Sequence, residues 1–270
     1  MFVVAALHFS GSAFEQYLFH PSHAFLLGLW RTVYVSVLAQ ALGVAIGLVV
    51  ELARRSRRAG IRGAAHTYVW LLRGTPLLVQ LFLVYDGLAA LGLYSFSDIS
   101  VFGATFSGGI QAAILTLGAN EGAYMAEIVR ASIDSIDAGQ MEAAQSIGMT
   151  HGKAMRHVVL PQAFKVMIPP LGNDFNNMMK VTSLLSVIGV EEMFLVAQET
   201  NSVTLQTFEV FLAVAIYYLA LTTVWGVIQS WIESRLHVGG VRQKLTLRER
   251  LLGVGGGGEA LAPGSLRGAR

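Results

Sequence analysis

The feature that most constrains this chain is a set of apolar stretches long enough to cross a lipid bilayer. A helix needs about 20 mainly apolar residues to cross about 30 Å of hydrocarbon. Residues 32–50 and 210–232 contain no Asp, Glu, Lys or Arg. Only 13% of the chain is charged, whereas soluble domains carry about 25% charged residues. The sequence therefore predicts an integral membrane protein and argues against a globular soluble enzyme.

Three further stretches are predicted to span the membrane with less regular sequences. Residues 106–129 follow a glycine-rich beginning, and residues 63–85 are interrupted at Pro76. Because proline lacks a backbone N–H, we expect a kink there. Residues 163–185 carry polar side chains that do not suit a lipid-facing surface: Asn173, Asp174, Asn176, Asn177 and Lys180. These side chains are expected to face protein or a wet cavity, since charge in hydrocarbon is costly.

The positions of the basic residues predict an orientation for the five spans. Five spans place every loop that is rich in Lys and Arg on one side of the membrane. The segments on the other side, residues 1–23, 86–105 and 191–208, contain no Lys or Arg. Because Lys and Arg accumulate in cytoplasmic loops, we expect the N-terminus outside and the C-terminus in the cytoplasm. The predicted fold class is an all-α membrane protein with five transmembrane helices and a two-helix cytoplasmic loop.

The chain divides into three segments on this interpretation. Residues 1–23 are expected to form an external N-terminal segment, since they lack the basic region and cleavage site of a signal peptide. Residues 24–233 form the membrane domain, which includes the cytoplasmic loop 134–161. Residues 234–270 are glycine-rich and are expected to form a flexible cytoplasmic tail. Their glycine run is not followed by Lys-Ser or Lys-Thr, so it is no phosphate-binding loop.

The loop 134–161 has a regular pattern that a simple linker would not need. Its apolar positions predict a short helix: Ile136, Met141, Ala144, Ile147 and Met149. We expect Gly148 to end this helix, Thr150 to cap a second short helix, and Pro161 to close the second helix. Two short helices at an angle on the cytoplasmic face are suited to a groove in a partner protein.

The spacing in this loop resembles that of ATP-binding-cassette importer permeases. Their pattern is Glu-Ala-Ala, three residues, Gly, nine residues, Ile, one residue and Leu-Pro. The matching residues here are Glu142, Ala143, Ala144, Gly148, Val158, Leu160 and Pro161, with Val158 in place of the usual Ile. Residues 72–80, 123–130 and 180–184 look like the polar amino acid uptake permeases of the histidine, glutamine and arginine type. The resemblance covers roughly residues 24–233.

This resemblance implies a permease subunit that moves a polar amino acid into the cytoplasm and catalyses no bond change itself. Two separate ATPase subunits, which use ATP and Mg, would bind the Glu142-to-Pro161 loop. Further implied partners are a second permease subunit (a copy of this chain or a related one), an external solute-binding protein and membrane lipid. Nucleic acid is not expected. The implied location is the cell membrane, which is the inner membrane in a Gram-negative cell.

The polar residues of the fourth span are the strongest candidates for a substrate path. Asn173, Asn177 and Lys180 are four and three residues apart and so share one helical face. We assign the path to Asn120, Glu121, Asn173, Asn177, Lys180, Thr182 and Ser183. These side chains offer the donors and acceptors that an amino acid zwitterion needs. Alternatively, Lys180 pairs with Asp174 or Glu127 and only stabilises the bundle.

Other functions and sites are less consistent with the sequence. A self-sufficient channel or secondary transporter is the main alternative, and it predicts repeats with paired broken helices. The break at Pro76 has no convincing mirror. An intramembrane enzyme would need a catalytic set inside the spans, and no His lies clearly within one. The seven His residues have no metal-ligand spacing with carboxylates, so we expect no metal site.

Overall fold

The computed structural model describes residues 9–101 and 104–236, and these are mostly helical. The predicted tail, residues 234–270, lies outside the described residues from position 237 onward. The helices are α1 Gly11–Phe19, α2 His23–Arg54, α3 Ala59–Gly74, α4 Leu77–Phe82, α5 Leu88–Ala90, α6 Gly108–Asp134, α7 Ala138–Ser146, α8 His151–Ala154, α9 Leu160–Val181, α10 Met193–Thr204 and α11 Thr207–Arg235. Two π-helical turns, Leu83–Gly87 and Met155–Val159, and a 3-10 helix, Thr182–Ile188, connect some of them.

The prediction of an all-α chain needs one correction. A short antiparallel hairpin pairs β1, Ile99–Val101, with β2, Ala104–Phe106, in the register Ile99 to Phe106. The hairpin precedes α6, and Ser107 caps that helix by accepting a hydrogen bond from the Ile110 N–H at 3.3 Å. Three-residue strands carry too little periodicity to be recognised in a glycine-rich stretch.

Helices α2 and α6 form the central pair of the bundle, and small residues bring them together. A Cβ on Gly47 would collide with the Cβ of Met125, and one on Gly122 would lie 2.5 Å from Ile46 Cγ2. Neither position has room for a side chain. Small residues at a helix crossing let backbones approach closely, which is how helices associate in membranes. The glycines therefore fix the contact on which the other helices are arranged.

The predicted kink at Pro76 is confirmed, and it is a break rather than a bend. Helix α3 ends at Gly74 and the helical run 77–90 begins after Pro76, at an angle of 109°. The Gln80 amide donates to the Leu72 carbonyl at 2.9 Å and to Thr75 Oγ1 at 2.7 Å. These bonds occupy backbone and side-chain groups that the break would otherwise leave unsatisfied.

The loop 134–161 contains the two predicted short helices, but Pro161 does not close the second one. Helix α8 continues through the π turn into α9, so that residues 151–188 form one helical run. Pro161 lies in the first turn of α9. Proline is tolerated in a first turn because its fixed φ suits the helix, and the wider π turn before it accommodates the ring. The expectation that Pro161 ends a helix was therefore wrong.

Four of the five predicted spans correspond to helices, or bent pairs of helices, that are long and apolar enough to cross a membrane. Among the described residues, α2 and α11 are each long and apolar enough to cross a membrane. Two bent pairs meet the same criterion together: α3 with residues 77–90, and residues 151–188 with α10, which meet at 52°. Helix α6 has 27 residues, or about 40 Å at 1.5 Å per residue. Helix α6 is not among the helices that meet this criterion, and 15 of its 27 residues are buried.

The N-terminal segment is tied to the beginning of α11. Ser10 N–H donates to Glu209 Oε1 at 2.7 Å, and the Tyr17 hydroxyl donates to Gln206 Oε1 at 2.7 Å. The Tyr217 hydroxyl donates to the Leu18 carbonyl, also at 2.7 Å. Helix α1 is therefore an integral part of this end of the bundle, which the sequence pattern did not predict.

Candidate coupling loop and substrate path

The loop between α6 and α9 presents a small, ordered surface. Asp137 caps α7 by accepting a hydrogen bond from the Gly139 N–H at 2.7 Å, and Thr150 Oγ1 caps α8. Between the two helices Gly148 has φ +90°, a conformation that side chains other than glycine rarely adopt. The predicted stop at Gly148 and cap at Thr150 are both confirmed. The angle between α7 and α8 therefore depends on a residue without a side chain.

The residues of the sequence motif are divided between the surface and the interior of this loop. Glu142 and Ala143 are exposed, whereas Ala144 is only 5% exposed and packs inward. Val158 is half-buried in the π turn, and Leu160 and Pro161 are exposed. Glu142 and Ala143 are thus free to contact a partner, while Ala144 and Val158 hold the two helices together.

Ile147 is an exposed apolar residue beside Gly148 whose importance the sequence did not reveal. Its side chain is 76% exposed, the most of any large apolar residue in the loop. The pattern placed Ile147 on the apolar face of the first short helix, but α7 ends at Ser146 and the chain turns there. A single exposed apolar side chain is common on protein surfaces, so a contact of Ile147 with a partner belongs to the proposal below.

The polar face of α9 points away from the rest of this chain. Asn173, Asn177 and Lys180 are all exposed, as their shared helical face predicts. Within residues 9–101 and 104–236, no carboxylate lies within 4.0 Å of the Lys180 ammonium. The alternative in which Lys180 pairs with Asp174 or Glu127 is therefore not observed in the chain.

The remaining residues assigned to the path are not brought together with this face. Asn120 Nδ2 donates to the Leu72 carbonyl at 3.1 Å and to Gln80 Oε1 at 3.0 Å, so it stabilises the break at Pro76. Glu121 is 8% exposed and accepts a hydrogen bond from Gln40 Nε2 at 3.0 Å.

The two hydroxyl residues after α9 also bond within the chain. The Thr182 hydroxyl is fully buried and donates to the Met179 carbonyl at 2.7 Å, and Ser183 Oγ donates to the Lys180 carbonyl at 2.8 Å. Because their hydroxyls are occupied, only Asn173, Asn177 and Lys180 of the predicted set present polar groups on one open surface.

A groove of about 600 Å³ lies beside this surface, between α2, α9 and α11. Its walls are mostly apolar, and its polar side chains are Gln40 and Gln229. Gln229 Nε2 donates to Glu233 Oε1 at 2.9 Å and lies 3.4 Å from Asn173 Oδ1. Gln229 thus extends the polar face of α9 onto α11. In the sequence, the only indication of this role of Gln229 was a single amide side chain inside the apolar stretch 210–232.

Charged residues form a network where the C-terminal ends of α2 and α3 meet α6. Glu127 Oε1 lies 2.8 Å from Arg54 Nη1 and 3.7 Å from Arg73 Nη1, and Glu127 Oε2 lies 2.8 Å from Arg130 Nη2. Glu127 and Arg130 form a pair at three-residue spacing within α6. The same carboxylate also joins three helices, which intrahelical spacing does not reveal.

Glu192 is a buried carboxylate that the sequence analysis did not single out. Its side chain is fully buried and accepts hydrogen bonds from the Phe194 and Leu195 N–H groups at 2.8 and 2.7 Å. The Tyr218 hydroxyl donates to it at 3.2 Å.

Within the part of the chain that is described, no group of three or more His, Asp or Glu is placed to hold a metal ion.

Comparison with known proteins identifies the family. Residues 43–238 match the model of binding-protein-dependent transport system inner membrane components. The chain belongs to this family. Its relatives include the probable amino-acid permease protein YxeN of Bacillus subtilis, which is 38% identical over 76% of this chain and 88% of the relative. The L-cystine transport system permease protein TcyB of the same organism is 39% identical over 77% of this chain and 85% of the relative.

A solved structure has the same fold. A crystal structure of an amino acid ABC transporter with histidines contains a chain that is 39% identical, with a TM-score of 0.71. The match covers 78% of this chain and 94% of that chain. An inward-facing methionine ABC transporter, MetNI, is 18% identical with a TM-score of 0.61, and this likeness concerns the fold alone.

These matches confirm the importer permease that the loop spacing predicted. The chain is a membrane permease subunit, and ATP hydrolysis in this family is performed by separate ATPase subunits. Partners of the kind found in ABC importers are therefore part of its function. A self-sufficient channel or secondary transporter is not favoured.

Proposed function

We propose that this permease subunit imports a polar amino acid. The observation that carries the proposal is the 39% identity, over 94% of its length, to the permease chain of an amino acid ABC transporter. Relatives of the chain include an L-cystine transport system permease and, in Corynebacterium glutamicum, an arginine transport system permease. The exposed Asn173, Asn177 and Lys180 supply amide and ammonium groups that suit the carboxylate and polar atoms of such a substrate.

The proposed assembly contains two permease subunits, two ATPase subunits and an external solute-binding protein. The second permease subunit is a copy of this chain or a related one, and it closes the path against the polar face of α9. ATP and Mg act in the ATPase subunits. The membrane is the cell membrane, or the inner membrane of a Gram-negative cell. The absence of Lys and Arg from residues 1–23, 86–105 and 191–208 supports this orientation.

Five crossings account for this orientation. They are α2, α3 with residues 77–90, α6, α9 and α11. The N-terminus is then external, the C-terminus is cytoplasmic, and the coupling loop 134–161 projects into the cytoplasm.

Since the native sequence has no Cys, Lys153→Cys and Leu205→Cys each introduce a single reactive thiol. We expect a membrane-impermeant maleimide to label Cys at 205 from outside and Cys at 153 only after permeabilisation. External labelling at 153 would overturn the orientation.

The continuity of the helical run explains how ATPase motion reaches the substrate. Residues 151–188 form one run, so we expect displacement of α8 to reach α9 and its polar face, although Pro169 and Pro170 interrupt the backbone hydrogen bonds on the way. The surface that the ATPase would bind consists of Glu142, Ala143, Ile147 and Gly148. The Val158, Leu160 and Pro161 segment transmits the movement into the membrane domain.

The decisive experiment reconstitutes the permease with its ATPase and binding protein in proteoliposomes. ATP hydrolysis and uptake are measured against a panel of amino acids, sugars and metal complexes. We expect one or a few polar amino acids to stimulate both activities. Stimulation by sugars or metal complexes alone would contradict the proposed substrate class.

A further inference from the structure

The connection between α2 and α3 carries five arginines, and they fall into two groups. Arg54 and Arg55 are paired: Arg54 Nη1 lies 2.8 Å from Glu127 Oε1, and Arg55 Nε lies 2.7 Å from Glu51 Oε1. Arg57, Arg58 and Arg62 are exposed. Throughout residues 9–101 and 104–236, no carboxylate lies within 4.0 Å of these three guanidinium groups. We call Arg57, Arg58 and Arg62 the arginine cluster.

A compact turn gathers the arginine cluster in one place. Ser56 Oγ accepts a hydrogen bond from the Arg58 N–H at 3.2 Å. The Arg62 guanidinium reaches back and donates to the Ser56 carbonyl, also at 3.2 Å. The Arg62 side chain, six residues after Ser56, is therefore drawn toward the same turn. Three positive charges thus lie within six residues of chain and have no carboxylate within 4.0 Å among the described residues.

Apolar surface adjoins the arginine cluster on both sides. In the last turns of α2, Val49 is 65% and Leu52 is 71% exposed. In α3, Ile61 is 43% and Trp70 is 74% exposed. Trp70 lies eight residues after Arg62, or about 12 Å along the helix, so it does not mark the level of the cluster. Val49, Leu52 and Ile61 are the apolar side chains close to the cluster in sequence, and in the proposed orientation they would lie at the cytoplasmic edge of the hydrocarbon.

We propose that the arginine cluster is a binding site for the headgroup of an anionic phospholipid of the cytoplasmic leaflet. Guanidinium groups bind phosphate oxygens through paired hydrogen bonds. Juxtamembrane groups of basic residues attract anionic lipids, and each residue adds to the affinity. The acyl chains would lie along Val49 and Leu52. The inference goes beyond the transport function and depends on the proposed cytoplasmic position of this turn.

Native mass spectrometry of the full chain tests this site directly. The purified protein is titrated with dioleoyl phosphatidylglycerol and, separately, with dioleoyl phosphatidylcholine. We expect the triple variant Arg57→Gln, Arg58→Gln, Arg62→Gln to bind phosphatidylglycerol at least tenfold more weakly and phosphatidylcholine unchanged. The triple Lys variant at the same positions keeps the charge but loses the paired hydrogen bonds of the guanidinium group, so its affinity for phosphatidylglycerol should lie between those of the native chain and the Gln variant.

The matched control removes the same charge elsewhere in the predicted cytoplasmic part of the chain. The variant Arg242→Gln, Lys244→Gln, Arg248→Gln should bind phosphatidylglycerol within twofold of the native chain. Equal losses in both triple variants would show unspecific attraction and overturn the site. The Gln variant of Arg57, Arg58 and Arg62 is also tested for co-purification of the ATPase subunit. If this variant binds lipid normally but no longer co-purifies with the ATPase subunit, the cluster is a contact for that protein and not a lipid site. Unchanged phosphatidylcholine binding excludes misfolding, and none of these readouts requires transport.

Discussion

The Glu192 carboxylate joins the beginning of α10 to two other helices. It accepts the Phe194 and Leu195 N–H groups, and it lies within 3.5 Å of Thr32 Oγ1 in α2 and 3.2 Å of the Tyr218 hydroxyl in α11. A buried carboxylate with this many donors is both a helix cap and a tertiary contact. Its neighbour Glu191 is 59% exposed and pairs only with Arg31.

We expect Glu192→Ala to destabilise the permease by about 2 to 3 kcal/mol, because buried donors lose their acceptor. Glu191→Ala should cost less than about 1 kcal/mol, as exposed ion pairs do. Thermal unfolding of the detergent-purified variants, followed by circular dichroism, measures the difference. Equal losses of stability would mean that the Glu192 contacts contribute little.

Lys180 has the opposite surroundings, since its ammonium is exposed and has no carboxylate partner among the described residues. We expect Lys180→Gln to reduce amino acid uptake in proteoliposomes at least tenfold while the unstimulated ATPase rate stays unchanged. Lys165→Gln removes the same charge from an exposed position of the same helix. Its uptake should remain within twofold of the native rate. If both variants lose a comparable share of the amino acid uptake, Lys180 is not part of the substrate path.

The turn between α7 and α8 depends on the backbone conformation of Gly148. Any other residue at φ +90° is strained, at a cost of about 1 to 2 kcal/mol. We expect Gly148→Asp to abolish substrate-stimulated ATP hydrolysis while the permease remains in the membrane. Gly152, in α8, has ordinary helical geometry and open space around it. Gly152→Asp should therefore keep at least half of the substrate-stimulated ATP hydrolysis. Full stimulation in the Gly148→Asp variant would show that the turn tolerates a side chain.

The sequence predicts the elements better than their contacts. Apolar length located α2, α6 and α11, and Pro76 correctly predicted a break, because these features depend on local composition and geometry. Pro161 was misread, because a proline ends a helix or begins one according to the turn before it. The roles of Asn120 and Glu192 depend on partners 40 to 48 and about 160 residues away. Single-sequence patterns do not encode such distant pairings.

At the scale of the whole molecule, the coupling loop and the polar face of α9 belong to one helical run. In our proposal the loop lies in the cytoplasm, and residues 151–188 form one helical run that passes Asn173 and Lys180. Pro169 and Pro170 lie inside this run and remove backbone N–H donors, while α6, α2 and α11 pack against α9. We therefore expect transport to depend on the continuity of this run between α8 and α9 as well as on its side chains.

Inserting three glycines between Val159 and Leu160 tests this dependence. Glycine lowers helix stability by about 1 kcal/mol per residue, so the insertion makes a flexible joint between α8 and α9 while leaving Glu142 and Gly148 intact. We expect the ATPase subunit to co-purify normally and amino acid uptake to fall at least tenfold. The same insertion between Gly92 and Leu93, in the turn after α5, should leave uptake within threefold. Retained uptake with the first insertion would show that the helical run does not transmit the ATPase motion.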